Sequence, residues 1–380
     1  MIFHVITQLG IGGAEQQLFN VIRDTSSLGY THTVAYLQPP ADLAEELEKS
    51  GTHTIELGSE RRWPWRGAAS LLEPHFRQLK PTIIQSWLFD ARLAVYLAGG
   101  AHYAPWIATV MGTDYDRETL RASGRSRLKA EVCKKIERTI DKRTQVQWIA
   151  ASEASRKSYV GEVCINADRI DVIHNSVSDD LTVDPQAGRQ LRKKLGISPD
   201  DIVFLLVARL IQGKGIEDLI RAFNLIAIDE PRARLVLVGE GPLRAFLTEL
   251  VRDSPRSERI LLAGAYRDVG PALAMSNVFV FPSHSEGFAL ALAEAMSAGL
   301  PCVVSDIASN IEVIGDATNA LTVRVGDVDG IARAMRALVS NPTMAQHYGS
   351  RAAEYAHRHL SSRESGRHWH DLYARVGRLS

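Results

Sequence analysis

The sequence predicts an α/β fold of two doubly wound, Rossmann-like domains that face a cleft. Short apolar runs alternate with segments of helical length in both halves of the chain, a pattern typical of parallel sheets covered by helices on both faces. The 380 residues exceed what one hydrophobic core usually serves. A segment rich in polar and turn residues, 172–188, separates the halves, and we place the linker near 176–184.

Apolar and β-branched runs mark the strands of both domains. In the N-terminal half they are IFHVIT (2–7), HTVAYL (32–37), HTIEL (53–57), PTIIQSW (81–87), WIATVM (106–111) and VQWIA (146–150). In the C-terminal half they are DIVFLLVA (201–208), ARLVLVG (233–239), RILLAG (259–264), VFVFPS (278–283) and PCVVSD (301–306). We expect domains at 1–175 and 176–360, followed by a terminal helix at about 361–380. Ligands of such sheets bind beyond the carboxyl ends of the strands, so we look for site residues in the loops that follow the strands.

Composition excludes several classes of protein. The 44 basic and 44 acidic residues give a formal net charge of zero, which argues against a nucleic-acid binder. Three widely spaced cysteines form neither a disulfide framework nor a zinc motif, and we expect them to be buried thiols. No uninterrupted apolar run reaches the roughly 18 residues of a membrane span, and MIFHVITQLG reads as a first strand. We therefore expect a cytoplasmic protein.

The strongest candidate site is SEGFALALAEAMSAGLP (285–301). A helix is predicted to begin near Phe288 and to end at the Gly-Pro stop, and its free first-turn amides form an anion site. Glu286 and Glu294 are eight residues apart, roughly 12 Å of helical rise, and would flank this anion. The alternative is an amphipathic helix with one surface and one capping glutamate.

A second candidate is ARLIQGKGIEDLI (208–220), which follows a predicted strand. Arg209 and Lys214 in this loop suit a diphosphate, whose negative charge grows as it leaves. Gly213 and Gly215 allow a tight turn. The alternative is an ordinary solvated basic loop.

Glycine-rich turns follow other strands. QLGIGGAEQQL (8–18) includes Gly12 and Gly13, but position 15 is glutamate, so the dinucleotide fingerprint G-x-G-x-x-G is absent. This turn could approach a phosphate or a sugar closely, or could simply join a strand to a helix. GEGPLR (239–244) and LAGAYRD (262–268) are weaker, and each is more typical of an ordinary loop.

Taken in order, GIGGAE, VMGTD, ASEA, VIHNSV, ARLIQGKG, VGEGP, HSEGFALALAEAMSAGLPCVVSD and IEVI resemble glycosyltransferase family 4. The resemblance extends over nearly the whole chain. It implies the GT-B fold and sugar transfer from a nucleotide diphosphate sugar with retention of configuration, without a bound metal or other cofactor. It also implies that the C-terminal helix crosses back onto the N-terminal domain.

The resemblance implies a role for each site residue. Arg209 and Lys214 would neutralise the diphosphate, and Glu286 would hold the donor sugar at the catalytic centre. The remaining donor-binding positions would be Gly12 and Gly13 from the N-terminal domain, Tyr266 at the base, the amides of Gly287, Phe288 and Ala289, and Glu294 at the ribose. UDP is mildly favoured as the nucleotide.

One feature departs from the family pattern, and another resembles a motif of metal-dependent transferases. Met111 stands in VMGTD where many members have a histidine, and a thioether cannot replace its hydrogen bonds, so Asp114 is offered as an acceptor-side substitute. GDVDG (326–330) contains the Asp-x-Asp of metal-dependent transferases, but helix capping by Asp327 or Asp329 explains it better.

The acceptor side contains a basic segment, Arg117–Arg143, near RRWPWR (61–66). A basic amphipathic helix can lie on an anionic membrane, which suits a lipid-linked acceptor and peripheral contact with the inner membrane face. The alternative is a solvated helix face and a soluble glycan acceptor.

Other functions also fit parts of this sequence pattern. A sugar-nucleotide epimerase of the same fold would bind the same donor, and a non-catalytic nucleotide-sugar binding protein would keep only the binding residues. A nicotinamide-dependent oxidoreductase is disfavoured by the incomplete glycine fingerprint. The leading expectation is a hexosyltransferase of polysaccharide or glycan biosynthesis.

Overall fold

The computed structural model describes residues 1–58, 65, 67–122, 124 and 126–378, apart from the side chains at 118 and 122. The chain divides into two compact units. Unit 1 comprises Met1–Asp116, Ser126–Ser176 and Ser362–Ser380, and unit 2 comprises Arg117–Arg125 and Val177–Ser361. Each unit is built on a sheet whose strands are all parallel.

Unit 1 contains a seven-stranded sheet with the order β3-β2-β1-β4-β5-β6-β7. Its central strands are fully buried, because helices cover both faces of a doubly wound sheet. The strands are β1 Ile2–Ile6, β2 His32–Tyr36, β3 His53–Glu56, β4 Ile83–Trp87, β5 Trp106–Val110, β6 Gln147–Ala150 and β7 Ile170–Val172.

Unit 2 contains a six-stranded sheet with the order β10-β9-β8-β11-β12-β13. Its strands are β8 Ile202–Val207, β9 Ala233–Val238, β10 Ile260–Gly264, β11 Val278–Phe281, β12 Cys302–Ser305 and β13 Leu321–Val323. The Val/Ile/Leu-rich runs of β8, β9 and β11 occupy the middle of the sheet, where side chains on both faces are buried.

The helices connect these strands in α/β order. In unit 1 they are α1 Gly13–Ser26, α2 Ala44–Lys49, α3 Ala68–Leu79, α4 Leu88–Leu97, α6 Arg127–Arg143, α7 Glu153–Ser158 and α16 Ser362–Gly377. In unit 2 they are α5 Arg117–Ala122, α8 Pro185–Lys194, α9 Ile216–Ile226, α10 Arg244–Arg252, α11 Gly270–Ala274, α12 Leu290–Ser297, α13 Ala308–Ile314, α14 Val328–Ser340 and α15 Pro342–His359.

The C-terminal helix α16 belongs to unit 1 and packs on α1. Trp369 and Tyr373 are buried in the core cluster of that unit. Trp369 lies 6.1 Å from Trp87 between ring centroids, and the Tyr373 hydroxyl donates a 2.6 Å hydrogen bond to Gln85 of β4. Aromatic packing and a satisfied buried hydroxyl therefore attach α16 to the sheet.

Several expectations need adjustment. β7 and β13 were not predicted, and α12 begins at Leu290 rather than near Phe288. Cys302 is buried, but Cys164 is exposed and Cys133 is intermediate, so the expectation of three buried thiols is wrong. Most of RRWPWR, all but Trp65, lies outside the described residues.

The structure also bears on the Asp-x-Asp motif and on membrane-spanning segments. Asp327 caps α14, and its carboxylate accepts a 2.8 Å hydrogen bond from the Gly330 amide, which confirms the capping interpretation. Of the described residues, no helix is both long and apolar enough to cross a membrane.

Candidate active site

The predicted site loops of unit 2 lie where its strand order reverses. From β8 the chain proceeds to β9 and β10 on one side, then returns to β11 and continues to β12 and β13 on the other. β8 and β11 are direct neighbours, with Phe204 opposite Val278. A crevice for a ligand forms at such a switch point beyond the carboxyl ends of the strands. The loop after β8 contains Arg209 and Lys214, and the loop after β11 contains Glu286.

Glycines allow these loops to touch through their backbones. A Cβ at Gly215, where φ is +64°, would lie 2.0 Å from the Pro282 carbonyl oxygen in the loop after β11. Cβ atoms at Gly239 and Gly241 would lie 1.9 Å and 2.5 Å from the carbonyl oxygens of Ala208 and Leu210. Side chains at these positions would push the loops apart. The glycines of GEGPLR therefore have a packing role, as an ordinary loop would require.

Lys214 and Glu286 form an ion pair. The Lys214 Nζ donates to both carboxylate oxygens of Glu286 at 2.6 Å and 2.7 Å, and the exposed fractions of the two side chains are 18% and 8%. An ammonium has three N–H donors, so one remains for a phosphate. Because the pair is neutral overall, Arg209, whose side chain is exposed, brings the net positive charge to this site.

The N-terminus of α12 follows Glu286 directly. Ala289 is the N-cap residue and no side chain caps the helix, while the Leu290 amide donates to the Phe288 carbonyl at 3.0 Å. The positive end of the helix dipole therefore favours an anion at this loop. Because only Leu290 onward is helical, the separation of Glu286 and Glu294 is part loop and part helix. The expected 12 Å of continuous helical rise is therefore wrong, since Glu294 lies little more than one turn into α12.

Glu294 occupies an environment that disfavours its charge. Burial is the main cause that raises the pKa of its carboxyl to about 7, and the negative charge of Asp268 adds to it. Asp268 lies in the loop after β10 and accepts a 2.9 Å hydrogen bond from the Gly270 amide. Tyr266 precedes it in the same loop and is half-buried, which raises the pKa of its phenol.

Contacts around Glu286 include residues that the sequence did not single out. The His284 Nε2 lies 2.7 Å from Asp218 Oδ2 of α9, and the Ser285 and Thr119 hydroxyl oxygens are 2.7 Å apart. These pairs are separated by 66 and 166 positions in the chain. Nothing in the local sequence relates such distant residues, so only the folded unit reveals them.

Buried polar groups support the loop after β11 from behind. The Ser305 hydroxyl at the end of β12 donates to the Ser283 carbonyl. Asn310 of α13 donates to the Ser305 carbonyl at 3.1 Å and to its hydroxyl at 3.0 Å. Each of these three residues is buried. The loop that presents Glu286 is therefore fixed by hydrogen bonds in a water-poor environment, where they are strong.

In unit 1, the N-cap residue Gly12 and the first helical residue Gly13 begin α1 after β1, at the switch point between β1 and β4. A Cβ at Gly12 would lie 2.4 Å from Glu15 Oε2, whereas one at Gly13 would meet nothing within 4 Å. The Glu15 side chain is buried and accepts a 3.3 Å hydrogen bond from Gln8. A side chain at Gly12 would therefore displace the Glu15 carboxylate, whereas one at Gly13 would enter open space.

Met111 and Asp114 follow β5 in unit 1. Met111 packs against the hydrophobic core cluster, so the thioether serves packing at the position where a histidine was expected from the family. Asp114 turns back on its own loop, since a Cβ at Gly112 would lie 3.3 Å from its Oδ2.

Two family models match complementary parts of the chain. Residues 11–181 match the model described as Glycosyltransferase Family 4, and residues 188–355 match the model described as Glycosyl transferases group 1. The chain belongs to glycosyltransferase family 4. The second match includes Arg209, Lys214, Glu286 and Glu294. The switch-point site therefore lies within the region that this family model describes.

Two curated relatives are similar to this chain over part of their length. N-acetyl-alpha-D-glucosaminyl L-malate synthase of Bacillus anthracis is 30% identical over 184 residues, 48% of each chain. UDP-Gal:alpha-D-GlcNAc-diphosphoundecaprenol alpha-1,3-galactosyltransferase of Escherichia coli is 31% identical over 180 residues, 46% of each chain. The alignments therefore span about half of these curated relatives.

The fold is shared with solved glycosyltransferases over the whole chain. The structure of Anabaena HepE in complex with UDP and glucose has a TM-score of 0.84 at 18% identity, and the match covers 98% of this chain and 99% of that one. At this identity the likeness shows the two-domain GT-B fold.

Proposed function

We propose that the protein is a retaining glycosyltransferase that moves a hexose from a nucleotide diphosphate sugar to a hydroxyl acceptor in polysaccharide or glycan biosynthesis. The observation that carries the proposal is the joining of Lys214 to Glu286 across the β8–β11 switch point. Arg209 and the uncapped N-terminus of α12 lie in the same two connections. Cations, a carboxylate and the N-terminus of a helix together suit a donor that has a diphosphate at one end and a sugar at the other.

For the donor we propose a UDP-sugar. Arg209, the third N–H of Lys214 and the amides of Gly287, Phe288 and Ala289 bind the diphosphate, and no metal is required because these groups supply the positive charge. Glu294 accepts hydrogen bonds from the ribose, and Tyr266 lies at the base. Gly12 and Gly13 belong to the same proposed set of donor-binding residues. The HepE structure is a complex with UDP and glucose, and the E. coli relative is named for UDP-Gal, which supports the choice of nucleotide.

In the proposed mechanism the acceptor attacks the face that the diphosphate leaves. The bond from the anomeric carbon to the phosphate oxygen breaks, and a bond to the acceptor oxygen forms on the same side. The acceptor proton moves to the departing phosphate oxygen. Arg209 and Lys214 stabilise the charge that develops there, while the carboxylate of Glu286 stands beside the electron-poor sugar ring.

For the acceptor we propose a lipid-linked glycan at the cytoplasmic membrane face. The α6 surface, defined by Arg127, Leu128, Lys129, Val132 and Lys135, is exposed, and the exposed fractions are 77% for Leu128 and 51% for Val132. Apolar side chains four residues apart, flanked by cations, suit shallow insertion into an anionic bilayer. The E. coli relative's name includes a diphosphoundecaprenol acceptor.

The donor proposal is tested by a thermal-shift screen of UDP, GDP, ADP and their sugars. Selective binding to the folded state stabilises it by about 2.7 kcal/mol at 100 times the dissociation constant. We expect UDP to raise the melting temperature of the wild type and to have little effect on Arg209→Ala. A lack of stabilisation by every nucleotide would contradict the proposal. Product analysis with donor alone separates transfer from epimerisation.

Flotation with phosphatidylglycerol vesicles tests the α6 surface. Replacing Leu128 and Val132 by serine should weaken binding about tenfold, because inserted apolar area is lost. Leu97→Ser, at a position with an exposed fraction of 51% on α4, is the matched control. Equal binding of all three proteins would contradict a role for this surface.

A further inference from the structure

Two short connections of unit 2 hold the ion pair at the switch point. The catalytic lysine segment, defined as 213–218, runs from Gly213 into the first turn of α9, and the catalytic glutamate loop, 282–286, follows β11. Lys214 and Glu286 join these segments through their charges. Donor binding must divert part of the Lys214 charge toward a phosphate, so this contact alone does not fix the two segments once the ligand is present.

His284 joins the same two segments through a second pair of hydrogen bonds. Its backbone amide donates a 2.8 Å hydrogen bond to the Gly213 carbonyl, and its imidazole Nε2 lies 2.7 Å from Asp218 Oδ2. The exposed fractions of the two side chains are 32% for His284 and 14% for Asp218. One residue thus contacts both ends of the lysine segment.

We propose that His284 and Asp218 form a clasp that positions Lys214 and Glu286 for glycosyl transfer, and that opening the clasp misaligns the catalytic carboxylate. The proposal rests on the proposed function for the role of Glu286. His284 is a positioning residue, because it acts through the loop that presents that carboxylate. A displacement of about 1 Å at a reacting centre can cost roughly a hundredfold in rate.

The clasp depends on protonation. The hydrogen bond to Asp218 is the main cause that raises the pKa of His284, burial opposes it, and the charges of Asp218 and Glu217 add to the rise. Further charged groups on the elements that hold this pair are Arg221, which lies 4.0 Å from Asp218, together with Lys214 and Glu286. Because the pKa is above its ordinary value, the charged clasp is complete below about pH 6.5 and is lost as the pH rises through the raised value.

The test compares wild type, His284→Gln, Asp218→Asn and the control His368→Gln, whose histidine lies 3.8 Å from Glu364 on the exposed face of α16. Turnover is measured from pH 6 to 9, alongside UDP affinity and NMR titration of the His284 ring. We expect wild-type kcat to fall at high pH. Asp218→Asn should move this fall and the ring titration to lower pH. His284→Gln should lose about tenfold in kcat and the pH dependence, with UDP affinity within about twofold.

Two results would overturn the clasp. One is His284→Gln with the wild-type kcat and pH profile. The other is a loss of kcat that is matched by an equal loss of UDP affinity and of melting temperature, since that pattern means general unfolding. The ring titration and hydrogen exchange of the two segments need no substrate. If the wild type transfers no sugar, the proposed function fails, and unchanged exchange in His284→Gln would separately refute the clasp.

Discussion

The ribose contact that we propose for Glu294 conflicts with the environment of its carboxyl group. A ribose is held best by a carboxylate, which accepts hydrogen bonds from hydroxyl groups. Burial and the nearby Asp268 charge nevertheless raise the pKa of this carboxyl to about 7. Near neutral pH the group therefore exists in both protonation states, and a bound ribose that donates to it would favour the charged one.

The first prediction concerns the pH dependence of donor binding. Affinity for UDP should fall as the pH drops through about 7, because protonation removes an acceptor from Glu294. Asp268→Asn keeps an oxygen for the Gly270 amide but removes a negative charge, so the fall should move to lower pH. Calorimetric titration of UDP between pH 5.5 and 8.5 measures both effects.

Glu294→Gln provides the control for this titration, because its amide cannot ionise. Its UDP affinity should stay near the low-pH value of the wild type across the range. If the wild-type affinity does not change with pH, or if Glu294→Gln follows the same pH profile as the wild type, Glu294 is not the titrating contact.

At the scale of elements, unit 1 contains a buried chain of hydrogen bonds that fixes two histidine tautomers. The indole of Trp87 can only donate, so His4 Nδ1, 3.3 Å away, must accept. His4 then donates through Nε2 to His32 Nδ1 at 2.9 Å, and His32 donates to the Thr25 hydroxyl at 3.1 Å. Protonating either ring would set one N–H against another.

The second prediction follows from this chain. Burial lowers the pKa of His4 well below its ordinary value and that of His32 to about 4. A lowered folded-state pKa means that the stabilisation is complete above about pH 6.5 and is lost as the pH falls toward 4. The melting temperature of unit 1 should therefore drop over this window in differential scanning calorimetry.

The comparison variant is the double change His4→Gln and His32→Gln, which removes both titrating rings. Its melting temperature should be lower than wild type at pH 7 but should depend less on pH between 6.5 and 4. His368→Gln, on the exposed face of α16, should behave as wild type. Equal slopes in all three proteins would contradict the role of the chain.

The sequence predicts these elements unevenly, for physical reasons. Long apolar runs such as IVFLLV of β8 are recognisable because both faces of a central strand are buried. β7 and β13 have three residues each and include polar ones, IDV and LTV, at the edges of their sheets. A run that short has no periodicity to detect, and its pairing depends on the neighbouring strand.

The residues of the candidate site can likewise be predicted only in part from the sequence. Arg209, Lys214 and Glu286 are accessible to sequence reasoning because each follows a strand in a polar, glycine-containing loop. The contacts of His284 with Asp218 and of Ser285 with Thr119 depend on chain segments that meet only after folding. The packing role of Gly239 and Gly241 is likewise visible only in the distances to Ala208 and Leu210.

At the scale of the whole molecule, two doubly wound units each place a candidate loop at a switch point, between β1 and β4 and between β8 and β11. The first family match ends at residue 181 and the second begins at residue 188. This division lies close to the boundary between the units, which falls between Ser176 and Val177. Unit 2 holds the charged groups that suit a nucleotide diphosphate sugar. Unit 1 contains the glycine turn that we assign to donor binding, and the Met111 loop and the α6 surface that we associate with the acceptor.

The third prediction concerns the centre of this account, which is Glu286 as the carboxylate beside the reacting sugar. The decisive measurement is turnover by wild type and Glu286→Gln with the donor that the thermal-shift screen selects, with the anomeric configuration of the product followed by NMR. We expect the product to retain the donor configuration. We also expect kcat to be lower in Glu286→Gln than in the wild type by about a hundredfold or more. Near-full turnover in Glu286→Gln, or an inverted product, would contradict this account.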